Sequence, residues 1–282
     1  MSKTNTAPTQ NIPTARLLPP YAPRIVDETD DFLVVDKPPF MLVHPSKPSD
    51  TRTLWDELRA LLAYEIANGG QISIINRLDR ETSGLTLIAK HLAAAREFHQ
   101  RMERHEITKA YDAIVFGWPD RDEWTTDAPI LRQGTVRESR VWVKQAVHPD
   151  GATALTAFSV RQRFENNGTR YALVRAFPKT GRTHQIRVHL AHEGTPIVGD
   201  KLYGISDDCY LEFIETGWTS ALAARLHLPR QALHSATLTT AGHHWECPLP
   251  PDLDFAEMTK RKRKDDADAK RPDCFKTETP AR

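Results

Sequence analysis

The stretch RYALVRAFPKTGRTHQIRVHLAHEG, from Arg170 to Gly194, changes its hydrophobic period midway, and that change constrains the fold more than any bulk property. Tyr171, Leu173, Arg175 and Phe177 fall on one side of a period-two pattern, which predicts a strand. Pro178 closes it, a Thr-Gly turn follows, and a helix is predicted over THQIRVHLAHEG with Thr183 as N-cap and Gly194 as its stop. RIVDETDDFLVVDKP reads as two short strands around an acidic turn, with Phe32 to Val35 a buried apolar run closed by Pro38. TLWDELRALLAYEIANGG reads as one amphipathic helix with Leu54, Leu58, Leu61, Leu62 and Ile66 on one face, ended by Gly69-Gly70. LTLIAK and YDAIVFGWP are further strands, and HLAAAREFHQRMERHEI a further helix. The Val-, Thr- and Ala-rich segment Ser139 to Phe164 suits antiparallel strands, and ALHSATLTT with HHWECPL makes a final pair. Helices interspersed with largely antiparallel strands give an α+β architecture rather than regular βαβ winding.

A chain of 282 residues, 39% hydrophobic and 27% charged, belongs among water-soluble globular proteins. Its net charge of +1 announces no nucleic-acid partner, though a basic groove is compatible with an acidic back face. Residues 1–22 are polar and Pro-rich and are expected to form a mobile arm, 23–255 the folded domain, and 256–282 a solvated basic tail. Lys260, Arg261, Lys262, Arg263 and Lys264 run in succession in that tail, either as a solubilising segment or as a contact for nucleic acid. Cys209, Cys247 and Cys274 are odd in number and lack C-x-x-C spacing, which argues against a disulfide framework and a structural zinc site and for a reducing compartment. No signal-peptide core or membrane-length apolar run is present, so a cytoplasmic location without membrane contact is expected.

Three segments have the residues for chemistry. In INRLDRETSGLTLIAK, Asp79 follows a predicted strand, with Arg77 two residues before it and Thr82, Ser83 and Gly84 supplying turn chemistry. Two readings fit: an Asx-type turn in an ordinary charged loop, or a carboxylate held for a reaction. In FPKTGRTHQIRVHLAHEGTPIVGDKLYG, Lys179 and Arg182 near a helix start suit an anion, while Ile186 and Leu190 face the core. Arg187 and His184 share another face, either solvated or turned toward an acid from elsewhere. In EITKAYDAIVFG, Lys109 and Tyr111 alternate along a strand, the phenol serving in packing or reaching a cleft. His184, His189 and His192 lack metal-ligand spacing, and no P-loop, dinucleotide fingerprint or G-x-S-x-G occurs, so no metal and no cofactor are expected.

Together these segments resemble the RluA-type family of RNA pseudouridine synthases. KPPFMLVHP, NRLDRETSGL, KAYDAIVFG, TGRTHQIRVHLAHEGTPIVGDKLYG and RQALHS occur in the family's order, and the likeness runs from about Arg24 to Pro250. The resemblance implies a pseudouridine synthase-like catalytic domain, with a largely antiparallel mixed sheet flanked by helices and a central cleft. It implies Asp79 as catalytic carboxylate, Arg187 as its partner, and Tyr111 beside the target base and able to move the C5 proton. Arg77, Asn76, Lys37, Lys109, Arg182, His184 and Gln185 are the implied substrate-binding residues. The implied substrate is RNA, as rRNA, tRNA or both; a monomer is expected. Asn76 stands where the family most often has His, and Phe40 where it usually has Gly, so a changed turn is expected there. No N-terminal S4-type module is expected ahead of the match.

Overall fold

The computed structural model describes residues 22–45, 52–240 and 242–254. The basic tail and nearly all of the predicted N-terminal arm lie outside the described residues. Those through Pro248 form one compact unit; those from Leu249 form a second, holding a 3-10 turn at Pro251–Leu253.

The strands of the first unit are β1 (Arg24–Glu28), β2 (Phe32–Lys37), β3 (Ser73–Ile74), β4 (Ser83–Ala89), β5 (Thr108–Phe116), β6 (Glu123–Asp127), β7 (Ile130–Arg132), β8 (Gln145–Val147), β9 (Leu155–Asn166), β10 (Thr169–Pro178), β11 (Leu233–Thr240) and β12 (His243–Glu246). Its helices are α1 (Leu54–Leu61), α2 (Ala63–Ala67), α3 (Leu92–Glu103), α4 (Gln185–His192), α5 (Asp208–Thr216) and α6 (Ser220–Leu226). Ten of these strands make one sheet of order β1-β2-β4-β11-β5-β10-β9-β6, with β12 on β11 and β3 on β4, while β7 and β8 pair apart. The neighbours β11 and β4 are parallel, joined at His234 with Ser83 and at Ser235 with Gly84; the other paired strands are antiparallel.

β2 is apolar without a break because both sheet faces are covered. Phe32 and Val34 pack with Leu85, Leu87, Phe98 and Trp245 on one side. Leu33 and Val35 pack with Leu54, Leu58, Leu62 and Ile88 on the other. Each such side chain, fully buried, stabilises the fold by about 1.5–3 kcal/mol.

Three local expectations change. The helix predicted over residues 53–68 breaks at Leu62 (φ −99, ψ 27), and Leu61, assigned to its buried face, is 47% exposed. Leu54, Leu58 and Leu62 set that face, and Leu61 sits at its edge. At α4, Thr183 is not the cap: His184 takes that position in the left-handed conformation (φ 57) with no side-chain cap bond. The Gln185 side chain reaches back instead and accepts from the Arg182 amide at 3.0 Å and the Thr180 hydroxyl at 2.7 Å. The polar side of α4 is not solvated either; every residue from Gln185 to Leu190 is buried, because the helix packs against β8, β9 and β10. Two glycines allow backbones to meet closely. A Cβ on Gly84 would lie 2.3 Å from the Ser235 carbonyl oxygen, and one on Gly199 1.9 Å from that of Arg230.

Candidate active site

Asp79 ends an irregular segment just before β4, in a turn closed by the Thr82 amide donating to the Asp79 carbonyl at 3.1 Å. α4 brings Arg187 to it, and Arg187 Nη1 donates to Asp79 Oδ2 at 2.7 Å. The rest of the guanidinium grips Asp200 in a two-pronged pair, Nε to Oδ2 at 2.7 Å and Nη2 to Oδ1 at 3.0 Å. Asp200 Oδ1 also accepts from the amides of Leu202 at 2.9 Å and Tyr203 at 3.1 Å. Side-chain exposure falls along this chain, from 30% at Asp79 to 6% at Arg187 and none at Asp200, so its open end is the Asp79 carboxylate.

Burial pushes the Asp79 carboxyl up, but the Arg187 charge and hydrogen bonds from Arg187 and Gln231 outweigh it and hold the group below the usual carboxylate range. Gln231 Nε2 donates to Asp79 Oδ2 at 3.2 Å and to the Thr82 hydroxyl at 2.8 Å. The loop's other acid is fully engaged: Glu81 accepts from Lys201 Nζ at 2.7 Å and from the Gln231 amide at 3.1 Å, while buried Arg230 donates to the Glu81 carbonyl at 3.1 Å.

Tyr111, on β5, stands opposite Ser235 of β11 and Ala176 of β10. Burial pushes its phenol up to about 12, a hydrogen bond with the Ser235 side chain opposing this and the Asp79 charge adding to it. His184 reaches the same site, with Nε2 at 3.9 Å from Asp79 Oδ2 and Nδ1 at 2.8 Å from the Tyr203 hydroxyl.

Arg77 and Arg182 are exposed, the second with Nε donating to the Thr153 carbonyl at 3.0 Å. Four expected substrate contacts point elsewhere. Lys37 is fully buried, its ammonium donating to the carbonyls of Pro38 at 2.8 Å, Met41 at 3.0 Å and Arg80 at 3.3 Å. It is therefore a brace between two loops rather than a phosphate contact. Burial first, then the Arg230 charge, lower it to about 7. Asn76 substitutes for a strand neighbour, donating to the Leu85 carbonyl at 3.1 Å and accepting from the Leu87 amide at 2.8 Å. Gln185 places its amide nitrogen on the Leu155 carbonyl at 3.1 Å and the Thr156 hydroxyl at 2.9 Å, so its hydrogen-bonding capacity is spent inside the fold. Lys109 lies against α3, 3.5 Å from Met102 Sδ. Phe40 takes φ 67, the left-handed conformation glycine adopts freely, and its carbonyl accepts from Arg80 Nε at 3.3 Å.

Asp200, Gln231, Glu81, Lys201 and Tyr203 were not predicted as site residues. Glu81 lies in the Asp79 loop, Asp200, Lys201 and Tyr203 in the Gly-Asp-Lys-Leu-Tyr segment and Gln231 in the Arg-Gln segment, but nothing in their spacing tells that Arg187 would meet a second acid, Asp200. A cavity of about 470 Å³ under the β7–β8 hairpin, lined by Arg137, Lys144, His148, Val188 and Tyr203, does not include Asp79. Among the described residues no group of three or more His, Cys, Asp or Glu is placed to hold a metal, and no helix is long and apolar enough to cross a membrane.

The RNA pseudouridylate synthase family model matches residues 31–192. The ribosomal large subunit pseudouridine synthase D of Haemophilus ducreyi is 34% identical over 254 residues, 86% of this chain and 71% of the relative. That of Pseudomonas aeruginosa is 37% identical over 238 residues, 81% and 69% of the two chains. Among solved structures, human RNA pseudouridylate synthase domain containing 1 superposes with a TM-score of 0.62 at 26% identity, covering 84% of this chain and 89% of its own. A family model matched over more than half of the chain, and relatives matched over most of its length, place this protein in the family of RNA pseudouridine synthases, as an RluA-type enzyme.

Proposed function

We propose that Asp79 is the carboxylate that initiates uridine isomerisation and that ribosomal RNA is the substrate, modified in the cytosol. The observation that carries the first part is the ion chain Asp79–Arg187–Asp200, which ends at a part-exposed carboxylate on Asp79. The names of the relatives, ribosomal large subunit synthases, support the second.

Isomerisation breaks the bond from uracil N1 to ribose C1′, turns the base and rejoins it through C5, with no electron or phosphoryl transfer. It calls for a carboxylate at C1′, acting as nucleophile or as the base that assists uracil loss, and for a route for the C5 proton. Arg187 keeps Asp79 ionised and aimed. Tyr111 is assigned to support the base by stacking and is the candidate for moving the C5 proton. The target uridine has to leave its stack, which costs a few kcal/mol and least in loops. Arg77 and Arg182 offset this by meeting phosphates.

The test is Asp79→Asn on transcribed rRNA fragments. The expected result is no detectable pseudouridine with RNA affinity within about threefold of wild type, since the change keeps size and hydrogen bonding. Turnover by the Asn variant rules out the carboxylate. Mapping pseudouridine across total RNA with and without the gene tests the substrate: loss of signal only in tRNA overturns the ribosomal assignment.

A further inference from the structure

Tyr203 and His184 hold one another in a way that determines which imidazole nitrogen carries the proton. The Tyr203 hydroxyl oxygen accepts from the Gln145 amide at 2.9 Å, leaving its own hydrogen to donate. Burial pushes the Tyr203 phenol up, so that hydrogen stays on it at neutral pH. Its partner is His184 Nδ1 at 2.8 Å. With Nδ1 accepting, the ring proton sits on Nε2, the nitrogen 3.9 Å from Asp79 Oδ2. The opposite tautomer leaves the Tyr203 hydrogen without that acceptor and turns a lone pair toward the Asp79 carboxylate, which is unfavourable on both counts.

Other features point the same way. His184 sits in the left-handed conformation just before α4, a strained arrangement typical of functional positions. The charges around its ring are Arg187 on α4, Asp79 before β4 and Asp200 after α4. Burial, followed by the Arg187 charge, lowers the imidazole to about 4, so it is neutral where the enzyme works. A separation of 3.9 Å is too long for a hydrogen bond to Asp79. The donor beside the carboxylate is therefore open to a substrate oxygen that lies alongside both groups.

We propose that His184, as the neutral Nε2–H tautomer set by Tyr203, donates a hydrogen bond to an oxygen of the reacting uracil and stabilises the negative charge that builds on the base as its bond to C1′ breaks. No proton is transferred in this step; His184 touches substrate and Tyr203 is a positioning residue. The inference rests on Asp79 as the reacting carboxylate, but its first test does not.

That test is nitrogen-15 NMR of the full chain labelled at histidine, with His184→Gln to assign the signal. The expected result is the Nε2–H tautomer from about pH 8 to about pH 5 without titration, and a mixture of tautomers or a titrating ring in Tyr203→Phe. An Nδ1–H ring in wild type, a titration above about pH 6, or an unchanged ring in Tyr203→Phe overturns the proposal. The second test is single-turnover pseudouridine formation. His184→Ala is expected to lose about 10²-fold in rate at unchanged RNA affinity, and His184→Gln, whose amide still donates, to recover to within about tenfold of wild type. A wild-type rate for His184→Ala overturns it. If Asp79→Asn turns over while the NMR result holds, the carboxylate assignment has failed and the tautomer has not.

Discussion

At the scale of single residues, the electrostatics of Tyr111 set a test of its role. With its phenol pushed up to about 12, Tyr111 is protonated at neutral pH. A phenol acts as a base only once its own proton is gone. If Tyr111 takes the C5 proton directly, the chemical rate rises about tenfold per pH unit below that value, because the phenolate fraction does. Tyr111→Phe should then be slow and lack that slope, with RNA affinity unchanged. Single-turnover rates between about pH 7 and pH 9 decide it; a wild-type profile as flat as that of the Phe variant leaves Tyr111 a stacking platform. Lys37 and Asn76 carry the complementary lesson. Both were expected to meet RNA, yet one holds three carbonyls and the other a strand backbone. A polar residue type announces that a hydrogen bond will be made, not with whom.

At the scale of elements, α4 is the hinge of the site. Its apolar spacing was visible, and Ile186 and Leu190 are buried as expected. Arg187 and His189 are buried too, because other elements cover that side; His189 spends both nitrogens on the Thr156 hydroxyl at 2.9 Å and the Ala128 carbonyl at 3.0 Å. Arg187 is balanced by two carboxylates, one of them wholly buried. Asp200→Asn removes the buried charge and leaves Arg187 underpaired, which predicts a stability loss of about 3–5 kcal/mol. Chemical denaturation measures it. A loss under about 1 kcal/mol would mean that Asp79 alone suffices to balance the guanidinium.

At the scale of the whole molecule, proton linkage below neutral pH has one direction. His184, His189 and His234 are lowered, each by burial first, so below about pH 6.5 the unfolded chain binds protons that the folded chain refuses. Their contribution is fully present above that pH and falls away toward about 4, the folded value at His184. The depressed carboxyls of Asp79 and Asp200 act at lower pH, losing their contribution as pH falls from the usual carboxylate range through their folded values. Lys37, lowered to about 7, adds to stability as pH rises from there toward the unfolded lysine value. Melting temperature should therefore fall steadily from neutral pH into acid, with no rise on the way. A melting temperature that is level from about pH 7.5 to about pH 5 contradicts the burial of these imidazoles.

Most of the elements were legible in the chain itself, because period-two and period-3.6 patterns, Pro178 and Gly194 act over a few residues. The family's ordered segments singled out Asp79, Tyr111 and Arg187 as candidates. The resemblance also implied the Asp79–Arg187 pair; the tertiary structure alone decided the further partners, Asp200 for Arg187 and Gln231 for Asp79. Asp79 and Gln231 are 152 positions apart, and they meet because β4 and β11 lie side by side, at a spacing that Gly84 permits. Local sequence sets what each segment prefers; which carboxylate is left open to solvent depends on packing between segments far apart in the chain.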